Sequence, residues 1–468
     1  MPIPVTEPEK LLDLMEEKLR TAVLEVHSNF VGAGFECYMV GGIVRDLLLG
    51  RPPGDVDFAT NARPEAVQKL FRRTVPTGLK HGTVSVLIDD FQFEVTTYRA
   101  EKGYSDARHP DEVRFADTLS EDLERRDFTI NALAFDPGRR ELLDMHEGLA
   151  DLSQGLIRTI GRPRDRFFED GLRPIRACRF AATLDFDIEP GTEEALADPE
   201  VHRRTRLVAV ERFADELWKG MAARHVSAMI RHLEKSRLLY LFFPRAVGLV
   251  PQTTAACFAD LEAMADYPAV MKMACWWDDL GFFETRVIRT VAQSLRFSNQ
   301  DTRDVEWYCR YYSFQKSLAS ELQEELDTEA ARSGNSAGPI KLIPGIDYRS
   351  LVSEERLEQF LSQPLIDYRI RRFLSDLKQH YRATGIEFLK RASDLPLNQV
   401  PVKRLIEIYE REPLTIADLK IDGHELMNLG LSGPMIGETL RLFLDSVLRD
   451  PARNDQAYFR ERLKSRVD

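Results

Sequence analysis

Residues 40–46, Val40-Gly41-Gly42-Ile43-Val44-Arg45-Asp46, followed by Asp55-Val56-Asp57, decide how this chain is read. Cys37-Tyr38-Met39-Val40 just before them has the β-branched and aromatic character of a strand. A Gly-Gly turn after a strand lets backbone N–H groups approach a phosphate without side-chain obstruction. Arg45 lies one helical turn later, placed for the same anion. In a strand, residues i and i+2 share a face, so Asp55 and Asp57 would aim two carboxylates at one point. Such a pair suits Mg²⁺, and a two-metal site would activate an attacking hydroxyl and stabilise a leaving oxygen in phosphoryl displacement. An isolated D-x-D is more often a solvated turn; the neighbouring Gly-Gly and Arg45 reverse those odds.

Outward from this stretch, residues 36 to 98 alternate short strand-like runs (CYMV, DVDFA, TVSVLI, FQFEVTTY) with a helical PEAVQKLFRR and Gly/Pro turns, an α/β or α+β head with a mixed sheet. Glu94, between Phe93 and Val95, faces either solvent or a polar site and is a candidate third carboxylate. Leu11, Leu12, Met15, Leu19, Val23 and Val26 predict one helix over 7–32. Residues 99–119 are polar without a clear period and read as a mobile loop. From about 120 onward the period is helical, broken by a Gly/Ser/Pro-rich linker at 331–345 and a turn cluster at 430–437 before a last amphipathic helix carrying Leu440, Phe443, Leu444 and Val447. The expected division is a catalytic head (1–158), a helical neck (159–230), a helical body (231–330), the linker, and a helical tail (346–468), giving an elongated molecule.

Two further clusters carry chemistry. In Arg125-Arg126-Asp127-Phe128-Thr129-Ile130-Asn131, Asp127 could cap a helix, while Arg126 and Asn131 offer donors to phosphate and ribose oxygens. In 144–152, DMHEGLADL reads as a turn closing the head, with Asp151 as a cap. In 167–180, FFEDGLRPIRACRF, the spacing puts Arg173, Arg176 and Arg179 on one helix face, with Asp170 one turn earlier. A salt-bridged surface helix is the plainer reading. Yet a carboxylate accepts from an exocyclic amine, and Arg donates to the adjacent ring nitrogen. Cytosine and adenine present that amine beside a bare nitrogen, whereas uracil and guanine present a carbonyl beside an N–H, so an Asp/Arg pair would accept C or A and reject U or G. Pro174 disfavours helical geometry in the residue before it, and the helix is expected to begin at Pro174 with Arg173 on its approach.

The composition sets bounds. Lys+Arg 64 against Asp+Glu 76 gives a net charge of −12, which taken alone argues against a polyanionic partner. Basic residues nevertheless cluster at 158–179, at 202–206, and at Arg369, Arg371, Arg372, Lys378 and Arg382, and local patches decide phosphate contact. Cys37, Cys178, Cys257, Cys275 and Cys309 are odd in number and lack a C-x-x-C pair, so reduced core thiols are expected. The acidic, proline-broken start does not resemble a signal peptide, and no apolar run is long enough to span a bilayer, which predicts a cytoplasmic protein without a membrane role.

The chain resembles the class II tRNA nucleotidyltransferases, or CCA-adding enzymes, together with the related bacterial poly(A) polymerases. The resemblance rests on VGGIVRDLLLGRPPGDVDFAT (40–60), ERRDFTINALAFDP (124–137), DMHEGLADL (144–152) and EDGLRPIRACRF (169–180), in the family's order. It implies Asp55 and Asp57 as Mg²⁺ ligands, with Glu94 as a third catalytic carboxylate. It also implies nucleotide contacts at Gly41, Gly42, Arg45, Arg126, Arg176 and Arg179, ribose reading by Asp127 and Asn131, and a protein template for the base in Asp170 and Arg173. TYRAEKGYSDARHPDEVRF (97–115) is similar to the family's flexible loop, with Tyr104, Asp106 and Arg108 at its tip, and argues against an enzyme adding only the two cytidines. Some relatives carry a His-Asp phosphohydrolase motif; the nearest candidate here is Trp277-Asp278-Asp279-Leu280-Gly281, and no such activity is expected. The implied function is addition of CCA to tRNA from CTP and ATP, with no DNA partner. An enzyme adding only the terminal A, a poly(A) polymerase and a non-catalytic RNA-binding protein of the same fold remain the alternatives. The sequence leaves the oligomeric state open, with a monomer as the default.

Overall fold

The computed structural model describes residues 6–78, 82–102, 112–243, 253–282, 284–333, 353–381, 385–392 and 402–467. It divides into two compact units. The first comprises Met1–Gln252 with Ala265–Ala269 and Arg289–Thr302; the second comprises Thr253–Met264, Val270–Ile288 and Arg303–Asp468.

The first unit starts with a 3₁₀ turn over Pro8–Leu14 and helix α1 (Glu17–Gly32), where one helix over 7–32 was expected. The chain turns extended at Met15, whose side chain is buried, and Glu16 and Glu17 then provide an acidic start favoured at a helix N-terminus. Strand β1 (Cys37–Val40) runs into α2 (Gly42–Leu48), followed by β2 (Asp57–Thr60) and α3 (Pro64–Leu70). Strands β3 (Thr74–Gly78), β4 (Thr83–Ile88) and β5 (Phe91–Thr97) come next. β6 (Arg99–Lys102) pairs antiparallel with β7 (Glu112–Phe115). The predicted loop over 99–119 is thus a hairpin at its two ends, and the charged, polar sequence of its strands concealed the pairing. Helix α4 (Leu119–Glu124) leads to β8 (Leu133–Asp136) and β9 (Glu141–Asp144), strands in a region read as helical. All of β8 is buried, so it shows no polar alternation to betray a strand.

The seven-stranded sheet has the order β3-β4-β5-β2-β1-β8-β9. Only β2 and β5 run parallel, and their register sets Asp57 opposite Glu94. Val40, Ala59, Tyr98, Leu119, Leu123, Ala134 and Ile160 form one buried cluster that fixes α4 and the hairpin base to the sheet. Each large aliphatic side chain buried there contributes about 1.5–3 kcal/mol.

Helices α5 (Gly148–Gln154), α6 (Pro163–Glu169), α7 (Arg173–Leu184), α8 (Pro190–Leu196), α9 (Pro199–Thr205), α10 (Val210–Ala222) and α11 (Val226–Lys235) follow. A short parallel pair, Leu156–Ile157 with Asp187–Ile188, interrupts them. α7 begins at Arg173 rather than Pro174, which sits comfortably within the first turn, where its missing N–H has no partner to lose. Asp151 lies inside α5 rather than capping it. It accepts from Thr129 Oγ1 at 2.7 Å, while Asp144 takes the N–H groups of Gly148 and Leu149.

The second unit is helical throughout its described residues. Trp276, Trp277, Trp307, Tyr308, Tyr311 and Tyr312 are buried, and Trp307 stacks on Phe388 with centroids 4.7 Å apart. In the Trp277–Gly281 stretch, Asp278 pairs with Lys316, and Asp279 accepts from Thr254 N and Oγ1. The helix Pro434–Arg449 buries Leu440, Phe443, Leu444 and Val447 as predicted, but a further helix, Gln456–Val467, follows it. Of the expected linker, 331–333 end the helix Asn299–Ser333; the rest lies outside the described residues. The basic stretch near 370 is largely neutralised within the unit. Arg369 pairs with Glu321, Arg371 with Asp367 and Glu412, and Lys378 with Asp418, while Arg382 lies outside the described residues. All five cysteines are buried and free, in keeping with reduced core thiols.

Gly171, in the turn between α6 and α7, fixes the approach of α9. A Cβ there would lie 2.7 Å from the Arg204 carbonyl oxygen, while the Arg204 side chain donates to Phe168 O at 2.9–3.0 Å. Gly171→Ala is expected to cost about 1–3 kcal/mol through overpacking against backbone, measured by urea unfolding. An unchanged midpoint would show that the turn yields freely.

Candidate active site

The strand-to-helix junction β1–α2 forms one wall of a cleft of about 610 Å³. Gly41 has φ 78°, a left-handed conformation that a side chain would strain, and a Cβ there would meet Arg126 Nη1 at 2.9 Å. The junction therefore brings main chain and Arg126 together at the cleft. Asp57 and Glu94 line it from adjacent parallel strands, with Gly41, Gly42, Arg45, Arg126, Asp127, Asn131, Asp170, Arg173, Arg176 and Arg179 around them.

Asp55 behaves differently from its expected partner. It is exposed, precedes β2 rather than sharing it, and does not line the cleft. Its charge still reaches Asp57. Burial and the Glu94 carboxylate push Asp57 up, Arg126 pulls it back, and Asp55 adds to the rise, so its pKa stands at about 6. Among the described residues no three His, Cys, Asp or Glu side chains are grouped closely enough to hold a metal ion jointly. Tyr104, Asp106 and Arg108 lie outside the described residues.

A chain of charged hydrogen bonds links the remaining predicted residues. Asp46 accepts from Arg45 Nε and Nη2, both at 2.9 Å, and Arg45 Nη1 donates to Asn131 Oδ1 at 2.6 Å. Asn131 Nδ2 donates to Asp127 Oδ1 at 3.0 Å, and Arg176 approaches Asp127 Oδ2 at 2.7 Å through Nη2 and at 2.9 Å through Nε. Arg176 and Arg179 both meet Glu216. Asp127 is not a helix cap; its Oδ1 also accepts from Phe128 N, within a 3₁₀ turn over Thr129–Asn131. Burial pushes its carboxyl up, but Arg176 and the hydrogen bonds from Asn131 and Arg176 outweigh that and hold it at about 2. Arg179, Arg45 and Arg176 also stand 3.9, 5.2 and 5.3 Å from the centre of the Phe180 ring, a cation–π platform.

Asp170 and Arg173 both line the cleft, each engaged elsewhere. Asp170 accepts from Leu172 N at 2.9 Å and from Arg212 at 3.2 and 3.4 Å. Arg173 donates to Glu169 at 2.6 Å and to the carbonyls of Arg166 and Arg125 at 3.1 and 2.7 Å. Arg212, Glu216 and Lys219 were missed by sequence reasoning. They lie on α10, four and three residues apart, and so share one helix face. Glu216 is buried beside Phe213 and Leu217; a carboxylate on the apolar side of an amphipathic helix was the available signal. Asp122, 1% exposed and paired with Arg125 and Arg126, was missed too.

Asp127→Ala is expected to destabilise the protein by about 1–3 kcal/mol at neutral pH, because it leaves the buried Asn131 amide and the partly exposed Arg176 guanidinium short of their partner. The carboxyl is depressed from 3.8 to about 2. Its contribution is therefore complete above about pH 4 and fades as pH falls toward 2. Urea unfolding of both proteins at pH 7 and pH 3 should show the gap narrowing; an equal gap would contradict the ion pair.

Residues 37–158 match the family described as the poly A polymerase head domain, and residues 185–248 match the probable RNA- and SrmB-binding site of polymerase A. The chain is 52% identical over 186 residues to the CCA-adding enzyme of Enterococcus faecalis, covering 40% of this chain and 45% of that protein. It is 50% identical over 199 residues to that of Lactobacillus johnsonii, covering 42% and 49%. The chain thus spans about half the length of the curated relatives it matches. The Bacillus stearothermophilus CCA-adding enzyme in complex with CTP is similar over 97% of this chain and 99% of that one, at 25% identity and a TM-score of 0.62. The Thermotoga maritima CCA-adding enzyme complexed with tRNA shares the fold at 19% identity and a TM-score of 0.58, over 99% and 100%. Residues 37–158, which match the poly A polymerase head domain, and the stretch 169–180 together supply the residues that build this cleft, Lys219 apart, and the relatives of highest identity reported above are CCA-adding enzymes.

Proposed function

We propose that this protein adds C, C and A to the 3′ end of tRNA from CTP and ATP without a nucleic-acid template. The observation that carries the reading is the Asp57–Glu94 carboxylate pair facing a cleft lined by seven arginines and Lys219. A cation-rich wall opposite carboxylates suits a nucleoside triphosphate and a divalent cation. The curated relatives, named CCA-adding enzymes, support the same activity.

The residues fit Mg²⁺ in their chemistry. Asp57 is driven up to about 6 by burial and by the Glu94 and Asp55 charges, a like-charge strain that a hard cation relieves. Asp55 and Asp57 would hold it, with Glu94 adjacent, and it would neutralise charge developing at the reacting phosphate. The 3′ hydroxyl oxygen bonds to the α-phosphorus, the bond to the β-phosphate oxygen breaks, pyrophosphate leaves, and the hydroxyl proton is lost. Arg126 and Arg45 bind phosphate oxygens, and Asp127 and Asn131 orient the ribose. Asp170 accepts from the exocyclic amine of C or A, and Arg173 donates to the neighbouring ring nitrogen. Arg176 and Arg179 hold the nucleotide against the Phe180 platform. Tyr104, Asp106 and Arg108 would adapt the pocket from CTP to ATP, and the second unit would carry the tRNA body. No described helix is long and apolar enough to cross a membrane, and the reading places the protein with tRNA in the cytoplasm.

Pyrophosphate release from CTP with a tRNA lacking its terminal CCA tests the chemistry. Release is expected to require Mg²⁺ and to fall at least about a thousandfold in Asp57→Asn. Below about pH 6, where Asp57 takes up its proton in the metal-free protein, the Mg²⁺ concentration needed for half-maximal release should rise. Near-normal release by Asp57→Asn would sink the mechanism, and no release by the wild-type protein would favour a non-catalytic RNA-binding protein.

A further inference from the structure

Arg212 lies outside every motif block and outside the residues that the base-reading pattern would select. It is the third residue of α10, and its guanidinium meets both oxygens of Asp170, Nη1 to Oδ1 at 3.4 Å and Nη2 to Oδ2 at 3.2 Å. Leu172 N holds Oδ1 from the other side at 2.9 Å. Arg173, which the spacing offered as the partner of Asp170, is instead committed to Glu169 and to two backbone carbonyls. The carboxylate in the cleft is thus oriented from α10.

We propose that Arg212 is a positioning residue for base selection, holding the Asp170 carboxylate as a fixed acceptor so that only bases presenting an amine are accepted. This rests on the base-reading role given to Asp170 above. An ionised carboxylate offers about four acceptor positions and no donor. The Leu172 N–H and the two Arg212 N–H groups take three of them, leaving one for a single amine N–H. A carboxylate freed from its fork could rotate and no longer aim its remaining lone pair at the amine. The guanidinium fork opposes this, since it fixes the plane of the carboxylate. Lysine would keep the charge and lose the fork.

The test is the ratio of kcat/KM for CTP over UTP, and for ATP over GTP, in the full-length protein with tRNA substrates. It is measured for wild type, Arg212→Gln, Arg212→Lys, Asp170→Asn and the Asp170→Asn/Arg212→Gln double variant. Arg212→Gln is expected to lower both ratios by at least about tenfold, through a raised KM for the correct nucleotide more than a reduced kcat. Arg212→Lys should fall between it and wild type. In the Asp170→Asn background, Arg212→Gln should change the ratios no further, because the effect passes through Asp170. Unchanged ratios in Arg212→Gln, with only thermal stability or total activity lowered, would make Arg212 a plain interhelical tie and overturn the proposal. If Arg212→Gln does not fold, unchanged ratios in Arg212→Lys overturn it equally. If Asp170→Asn shifts the ratios and the Arg212 variants do not, the Arg212 inference alone fails; if Asp170→Asn leaves them unchanged, the base-reading role falls with it.

Discussion

The buried carboxylate of Asp127 is the charge on which the cleft depends. One oxygen takes Asn131 and the Phe128 N–H, and the other takes Arg176, so a single residue ties the turn after α4 to α7. Through Asn131 the tie extends to Arg45 and the β1–α2 junction, and through Arg176 to Glu216 on α10. Removing water from so many charges is costly, and it is offset because Asp46, Asp127 and Glu216 each meet a guanidinium or an amide. The outcome is a wall of arginines held at fixed positions around the cleft, the preorganisation that the proposed nucleotidyl transfer would need.

Two aspartates of one cleft are driven in opposite directions. Asp127, held down at about 2, takes donors on both oxygens and holds Asn131 and Arg176 in place; Asp57, raised to about 6, is surrounded by like charge with Arg126 as the opposing influence. Environments that push two acids apart commonly assign them different tasks. Here the satisfied acid locks the arginines, and the unsatisfied one is where a cation gains most. The negative net charge of the whole chain is compatible with this, because the positive charge that matters is concentrated at the cleft.

Much of this was legible in the sequence because it sits in short-range patterns. The strand–Gly-Gly–helix junction, the D-x-D and the arginines at spacing three are each readable from a few residues, and all but Asp55 of the head's described candidates line one cleft. What escaped depends on pairing at a distance. β8 is a fully buried run without alternation, the β6–β7 hairpin is polar, and Arg212 and Glu216 acquire their meaning only when α10 packs beside the 169–180 stretch. Asp55 lies just outside the strand for a local reason: β2 begins two residues later than the strand rule assumed. The basic stretch near 370 reads as a phosphate-binding stripe, yet its acidic partners arrive from other helices.

The most direct test is to sequence the 3′ ends made by the purified protein from a tRNA ending at its discriminator base, with CTP and ATP both present. Products ending in CCA and extending no further are the predicted result. Extension only of a tRNA already ending in CC, or long homopolymer tails, would contradict template-free CCA addition.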